Sequence, residues 1–418
     1  GSGEPILVYE AQDENSEGNF VAGQILAKSR GQNFKDFAVL YRTNAQSNAL
    51  EFSFKRNGIP YRVIGGTRFF DRAEIKDMLS YLCVVNNAND DLRLSRIINN
   101  PPRGLGAKTI EAAQRLAQAE GISLYDVVAH AEDFGPIEKS AGKFEAFVQM
   151  IADMRELLDT GLSLTEFYDA LLIRSGYIAM LQGKPTEENI TRLENVQELK
   201  SSIQNYMDST PEPTLEGFLE EIALYTDIEQ YNEGDDAAVM MTIHSAKGLE
   251  FPHVFLVGFE DGLFPGMRSI GDPEEMEEER RLCYVAITRA KQTLTISYAR
   301  QRMLYGRTNA TLPSRFLKEI PEDITVRRGG YHHNQNSYAH RTPVHHTLPS
   351  YGASVSVTTT EVPELHQGEM VEHTAFGKGM VLSVVKMGGD ALLEIAFDTV
   401  GTKKLLAKTA FKSMKKLS

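Results

Sequence analysis

Residues Val239 to Pro265 read VMMTIHSAKGLEFPHVFLVGFEDGLFP. The apolar run that closes at Ile243 has the length and side chains of a buried strand. Polar residues follow at once. Thr242, His244 and Ser245 stand where the chain leaves the strand, and Gly248 allows a tight backbone turn. Glu250 then precedes a second apolar run, His253 to Val257. Open α/β sheets bind ligands where polar groups gather at the carboxyl ends of buried strands. Read structurally, the same residues are a strand–loop–strand with incidental polar side chains.

Working outward, Ile6 to Tyr9, Phe37 to Tyr41, Tyr61 to Ile64 and Thr293 to Tyr298 are also short and rich in β-branched or aromatic residues. Helical runs lie between the early ones, Asn19 to Ser29 and Gln46 to Asn57. Alternation of this kind predicts an α/β fold with a parallel sheet and crossover helices. A further helix starts near Asp71, where Asp71 and Glu74 read as a capping pair. From Leu92 to Ala223 the pattern is helical throughout. Neither flank of that block is large enough to stand alone, so one sheet domain interrupted by a helical insertion is expected.

The chain has 418 residues and a net charge of −13, with no apolar run long enough to span a membrane. The acidic excess is local: Val84 to Asp236 carries 12 Lys and Arg against 28 Asp and Glu, whereas Gly368 to Ser418 carries eight against five. Nucleic-acid contact therefore needs a local basic or amide-rich site rather than a basic coat. The two cysteines, Cys83 and Cys283, read as reduced core thiols, without a disulfide or a thiolate zinc site. The opening Gly1-Ser2-Gly3, without Met, reads as a scar at the head of an excised fragment. Thr325 to Gln367 reads as a polar linker holding six of the ten histidines, including His332-His333 and His345-His346. Their spacing is irregular and suits solvent better than a metal. The tail has strand candidates at Met370 to Glu372, Gly379 to Val385, Leu392 to Phe397 and Lys403 to Leu406, which suits a small barrel. Its run Lys403, Lys404, Lys408, Lys412, Lys415, Lys416 reads as a solvated face.

Two more stretches carry chemistry. In Glu274 to Lys291, EEMEEERRLCYVAITRAK, acids crowd a helix start and Arg289 lies near its end. An Arg there either caps last-turn carbonyls or reaches a transferring phosphate as an arginine finger. In Asn100 to Ile110, NPPRGLGAKTI, glycines ahead of a helix start expose backbone N–H groups to an anion, with Arg93, Arg96, Arg103, Lys108 and Arg115 nearby. An ordinary helix hairpin is the bland alternative. No G-x-x-x-x-G-K-[ST] occurs; Gly183-Lys184-Pro185 and Gly377-Lys378-Gly379 lack its other elements. In VFLVGFED, Val254 to Asp261, Gly258 and Phe259 precede the acid pair, so Glu260 and Asp261 read as loop acids.

These segments resemble superfamily 1 DNA helicases of the UvrD/PcrA type. TIHSAKGLEFPHVFLVG is similar to helicase motif V and EEERRLCYVAITRAK to motif VI. YRTNAQSNALE (Tyr41 to Glu51) and IPYRVIGGTRFFDRAEIKD (Ile59 to Asp77) resemble the segments before the family's helical insertion. NPPRGLGAKTI resembles its GIG element, LPSRFLKEIP (Leu312 to Pro321) its motor-closing segment, and GEMVEHTAFGKGMVLSV (Gly368 to Val384) its Tudor-like module. The resemblance, closest on the PcrA side, implies the C-terminal half of such an enzyme: RecA-like motor domain 2A over 1–83 and 237–324, helical insertion 2B over 84–236, a disordered linker over 325–367 and an SH3/Tudor-like barrel over 368–418. It implies Arg289 as the catalytic finger on the ATP γ-phosphate and Glu250, with Gly248, at the nucleotide. It places Arg42, Asn44, Thr242 and His244 on a single-strand track, and Arg103, Gly104, Gly106, Lys108 and Thr109 on duplex DNA. ATP and Mg²⁺ would be bound mainly by a missing N-terminal motor half. The implied setting is 3′-to-5′ unwinding in repair and replication, in a bacterial cytoplasm. The implied partners are single-stranded DNA, single-strand/duplex junctions, and RNA polymerase or repair proteins through the tail. A non-catalytic DNA-binding or polymerase-docking module is the alternative; a nuclease-bearing relative ranks below both, because no carboxylate–Lys cluster follows the motor segments. Two positions depart from the pattern: Asn48 stands where many relatives have Arg, and Ala286 where Gly is common.

Overall fold

The computed structural model describes residues 4–226, 234–329 and 365–417, the last span without 367, 375, 388–389, 399–400, 407–409 and 411–413. The paired histidines of the polar stretch lie outside the described residues. The chain forms two compact units, one holding the large sheet and the helical block, the other the small C-terminal barrel.

The large sheet is parallel throughout, in the order β3 (Tyr61–Ile64), β4 (Ala238–Thr242), β2 (Phe37–Tyr41), β5 (Phe251–Leu256), β6 (Ala290–Ala299), β1 (Ile6–Ala11) and β9 (Thr325–Gly329). Strands from before and after the helical block thus lie side by side. Successive side chains of a strand point to opposite faces. Phe37, Val39 and Tyr41 accordingly pack with Val21, Ile25 and Phe54, from α1 (Glu14–Ser29) and α2 (Ser47–Arg56). Ala38 and Leu40 pack on the other face with Leu282, Cys283 and Ala286 of α12 (Pro273–Ile287). Burial pushes the Cys283 thiol up to about 12, an inert core sulfur.

Between β3 and β4 the chain runs through α3 (Ala73–Asn86), α4 (Asp91–Ile97), α5 (Ala107–Glu120), α6 (Leu124–Ala129), α7 (Ala141–Leu158), α8 (Leu164–Arg174), α9 (Tyr177–Gln182), α10 (Glu187–Ser209) and α11 (Leu215–Thr226). The Asp71–Glu74 capping pair is not formed. The N-cap of α3 is Arg72, Asp71 instead pairs with Arg68 at 2.7 Å and Lys76 at 3.1 Å, and Glu74 accepts from Asn195 at 2.7 Å. Both acids found better partners outside the first turn. Likewise α1 starts earlier than its apolar pattern, capped by Asp13, which accepts from Ser16 N–H at 2.7 Å.

The hairpin of β7 (Gln301–Leu304) and β8 (Arg307–Ala310), the strand β9 and, in the second unit, the short strand over Met414–Lys416 escaped the sequence reading. The hairpin is polar, with β8 wholly exposed. Strand β9 opens the stretch read as linker, so residues 325–329 belong to the sheet edge, not to a linker. Glu260 and Asp261 lie in the loop after β5, as read, and both are paired there. Glu260 is fully buried on Arg302, which also holds Glu17 at 2.6 Å, while Asp261 pairs with Arg315 at 3.0 Å.

The second unit is an antiparallel five-stranded sheet in the order β13 (Gly401–Leu406), β12 (Asp390–Phe397), β11 (Gly377–Met387), β10 (Met370–His373) and β14 (Met414–Lys416). Val371, Phe376, Val381, Leu393, Ile395 and Phe397 form its core. Of the lysine run, Lys415 pairs with Glu372 at 3.0 Å and Lys416 with Glu369 at 2.7 Å. The side chains of Lys403, Lys404, Lys408 and Lys412 lie outside the described residues.

Candidate functional site

The carboxyl ends of β4, β2 and β5 and the loops leaving them form one edge. After β4, Thr242 Oγ1 accepts from Ser245 N–H at 3.3 Å and lies 3.1 Å from its Oγ, tightening the chain into a short turn, His244–Ala246. Gly248 has φ +87, a conformation costly for any side chain, so the glycine is required there. Leu249 and Glu250 then lead exposed into β5.

Arg289, just past α12, comes to that same loop. Its Nε donates to Val285 O, its Nη1 to Leu249 O and its Nη2 to Thr288 Oγ1, each at 2.9 Å. Its own carbonyl accepts from Phe251 N–H at 2.9 Å, and Lys291 beside it reaches Glu250 at 3.7 Å. Arg289 thus caps the helix end, and because a guanidinium has five N–H donors and three are engaged here, two remain uncommitted. Glu250, Gly248 and Arg289 converge on one loop.

Arg42, at the end of β2, is held bidentately by Glu279 of α12, with Nε at 3.0 Å and Nη2 at 2.6 Å from Oε1. The Glu279 carboxylate is buried and also accepts from Gly266 N–H at 3.3 Å. Arg42 is thus tied to the helix that carries Arg289, and its charge is spent within the protein. Burial, then the Arg42 charge, pushes the His244 imidazole below its ordinary range, against the pull of Glu279. The shift favours the neutral, hydrogen-bonding imidazole over the cation. Asn44 borders a cleft of about 680 Å³ with Gly65, Gly66, Thr67, Arg192 and Asn195. Beneath it Arg72 fixes the floor, donating to Asn44 O at 3.1 Å, Asn195 Oδ1 at 2.8 Å and Ser47 Oγ at 2.8 Å.

Sequence reading passed over Gly65-Gly66. Gly65 has φ +74, and a Cβ there would lie 2.4 Å from Ser245 Oγ. The β3 turn and the β4 loop interlock only without a side chain. Gly65→Ala is expected to cost about 1–2 kcal/mol from backbone strain and to weaken single-strand binding several-fold, leaving duplex binding unchanged. Thermal unfolding and anisotropy titrations with the two DNA forms check this; equal weakening of both would remove the link to the β4 loop.

The glycine hairpin of the helical block is built as the sequence suggests in one respect and not in another. Gly104 has φ +72, Leu105 is buried, and Gly106 is the N-cap of α5 with no side chain capping it. Lys108 stands exposed in the first turn, and Thr109 N–H returns to Gly106 O at 3.0 Å. Arg103, however, is turned inward. It donates to Ile97 O at 2.9 Å, Tyr81 Oη at 2.7 Å and Ser175 O at 3.3 Å, so it braces the hairpin rather than reaching outward. Of the surrounding cations, Arg96 is committed to Asp77 at 2.6 Å and Arg115 faces Glu111 at 3.5 Å. Lys143, distant in sequence, joins the tip through Gly104 O at 2.6 Å.

Comparison with known proteins identifies the family. A model described as the UvrD-like helicase C-terminal domain matches residues 1–301, and one described as the PcrA/UvrD tudor domain matches residues 368–411. The chain is 41% identical over 421 residues to the ATP-dependent DNA helicase PcrA of Staphylococcus aureus, covering 98% of this chain and 56% of that protein. It is 41% identical over 417 residues to its namesake in Staphylococcus epidermidis, with the same coverage. The chain thus spans about half the length of the curated relatives it matches.

Proposed function

The chain belongs to the UvrD-like helicase family, as a C-terminal half of the PcrA type, and from that premise we propose that it is the second motor half of an ATP-dependent 3′-to-5′ DNA helicase of repair and replication. In this reading residues 1–83 and 237–329 form motor domain 2A, residues 84–236 the insertion 2B, and the barrel a docking module for RNA polymerase or repair proteins. The setting is a bacterial cytoplasm. Among the described residues, no helix is long and apolar enough to cross a membrane. The observation that carries the reading is the meeting of Arg289, Gly248 and Glu250 on the β4–β5 loop where it reaches the amino edge of the sheet, at the starts of β5 and β6.

Such an edge completes a nucleotide from one side. Exposed Glu250 accepts ribose hydroxyls, and Arg289 turns its remaining donors toward a γ-phosphate, where a fixed, permanently charged fork suits dispersed transition-state charge. When bound, ATP supplies the phosphoryl group whose transfer drives the motor. Among the described residues no three His, Cys, Asp or Glu converge as a metal site. By resemblance, Mg²⁺ and the P-loop are assigned to an N-terminal motor domain. Thr242, His244 and Asn44 offer donors to a sugar–phosphate backbone without reading sequence. Arg42 serves the carboxyl edge from its pair with Glu279, and Arg103 supports the hairpin from within.

Joining this chain to a P-loop motor domain is expected to yield single-strand-stimulated ATP hydrolysis, with none from the chain alone; phosphate release by the isolated chain would overturn the two-sided site. The duplex contact is tested separately. Lys108→Ala and Lys143→Ala are each expected to reduce the salt slope of junction binding by about one, while Arg103→Ala lowers thermal stability first. Unchanged salt slopes would leave the hairpin a structural element. The matched tudor domain favours a second reading, a non-catalytic docking module; junction binding without any ATPase in the joined protein would select it.

A further inference from the structure

A cavity of about 330 Å³, bordered by the Ala45–Gln46 turn that follows β2, lies between α1 and α2 of the sheet part, α10 and α11 of the helical block, and the β7–β8 hairpin. Its walls are largely polar, and two of the buried polar atoms there, Asn48 Oδ1 and Gln46 Nε2, lack partners. Asn48 is 4% exposed; its Nδ2 donates to Ser202 Oγ at 2.9 Å, but its Oδ1 is buried with no hydrogen-bond partner. An orphaned buried acceptor is costly, so something that donates belongs beside it. Two buried carboxyls share the cavity. Glu198 accepts from Tyr305 N–H at 3.1 Å and Glu14 from Met303 N–H at 3.0 Å. Neither has an ion pair among the described residues. Arg302, one of the lining cations, is already held by Glu17 and Glu260. The cavity therefore presents three carboxyls, Glu14, Glu198 and Glu221, and the orphaned Asn48 oxygen, against one further lining cation, the exposed Arg56, and one orphaned donor, Gln46 Nε2.

We propose that this cavity is a binding site for a small organic cation of the alkylguanidinium class, recognised by Glu198, Glu14 and the free Oδ1 of Asn48. A guanidinium carries donors only, in a planar fork that matches carboxylates and amide oxygens. The volume lies within the range of small-molecule pockets. Bound there, the cation bridges α1, α2, α10 and the hairpin, and so staples the helical block onto the sheet part.

Protonation gives the site a readout. Burial pushes the Glu198 carboxyl up to about 8, with Glu14 adding to it and the Tyr305 and Ser201 hydrogen bonds opposing. The other charged or titratable groups facing it are Glu221 and Tyr225 from α11, Arg56 from α2, and Arg302 and Tyr305 from the hairpin. Between the ordinary value of 4.5 and about 8, the folded chain keeps a proton that the unfolded chain has shed. Stability therefore falls as pH rises through that window. A bound cation displaces this proton, so its affinity rises with pH over the same range.

Agmatine is the probe, titrated into the chain by calorimetry and by thermal unfolding. Saturable one-to-one binding is expected, strengthening about tenfold from pH 6 to pH 7 as one proton is released per cation, and flattening the fall of stability with pH. Asn48→Arg, which tethers a guanidinium in the cavity, is expected to weaken agmatine binding at least tenfold and to raise the melting temperature. Glu198→Gln is expected to weaken binding and remove its pH dependence. Absence of saturable binding, equal binding by Asn48→Arg, or a pH-independent affinity would each overturn the proposal. Should Glu198→Gln fail to fold, the wild-type pH profile and Asn48→Arg still decide. Arg289→Ala binds agmatine normally on this account, which keeps the outcome separate from the nucleotide reading.

Discussion

Replacing Arg302 by Met is expected to lower folding stability by about 3–5 kcal/mol, with the urea midpoint falling by roughly 1 M or more. Arg302 is 4% exposed and stands between two carboxylates, Glu17 at 2% and Glu260 at 0%. Each carboxylate also holds backbone at the ends of the sheet. Glu17 Oε1 accepts from Gly258 N–H at 2.9 Å and Ser297 Oγ–H at 2.7 Å, and Glu260 Oε1 accepts from Ala299 N–H at 2.7 Å. Deleting the guanidinium leaves two negative charges facing each other without water. The loss then comes from stranded charge rather than from the pair's own attraction, which desolvation largely cancels. A neutral set, Arg302→Met with Glu17→Gln and Glu260→Gln, is accordingly expected to recover much of the loss. A single-variant loss under about 1 kcal/mol would show the triad to be better solvated than its burial indicates.

That triad also marks where the sequence stops being readable. The central strands are legible because they are buried on both faces and therefore continuously apolar, as in FAVLY and AVMMT. Strands β8 and β9 have no such constraint. RTNA is exposed along its length and TVRRG nearly so, at a sheet edge, and nothing in their composition distinguishes them from loop. Charged residues fail for a different reason. Arg42 and Arg103 read as phosphate contacts because their type and place allow it. Their actual partners, Glu279 and the carbonyls around Ile97, are set by tertiary proximity, in the first case 237 residues away. Lys143 was missed by the same logic in reverse. Arg289 was legible as a helix-end cap, since its place just past α12 lets it bond Val285 O and also reach Leu249 O in the loop before β5.

Arg289→Ala, in a protein that pairs this chain with a P-loop motor domain, is expected to lower turnover of ATP by about 10³–10⁵-fold, while nucleotide affinity changes only a few-fold. The geometry dictates that split. The remaining wall of the site, Glu250 and Gly248, belongs to the loop and does not move with the side chain. What disappears is a donor fork whose value rises only as charge spreads over the transferring phosphoryl oxygens. Folding stability should fall by no more than about 1 kcal/mol, because the resting contacts to Val285 O and Leu249 O are capping bonds at a partly exposed helix end. Arg289→Lys restores a charge but not a planar fork, so it is expected to rescue stability and not turnover. Lys291→Ala, one strand position away on Glu250, serves as the control for general loss of positive charge and should stay within a few-fold of the parent. Single-turnover hydrolysis, with nucleotide binding and melting temperature measured on each variant, separates these outcomes. Turnover within tenfold of the parent in Arg289→Ala would leave Val285 O and Leu249 O as the whole purpose of this arginine, and the phosphate-facing cation would have to be sought elsewhere along the edge.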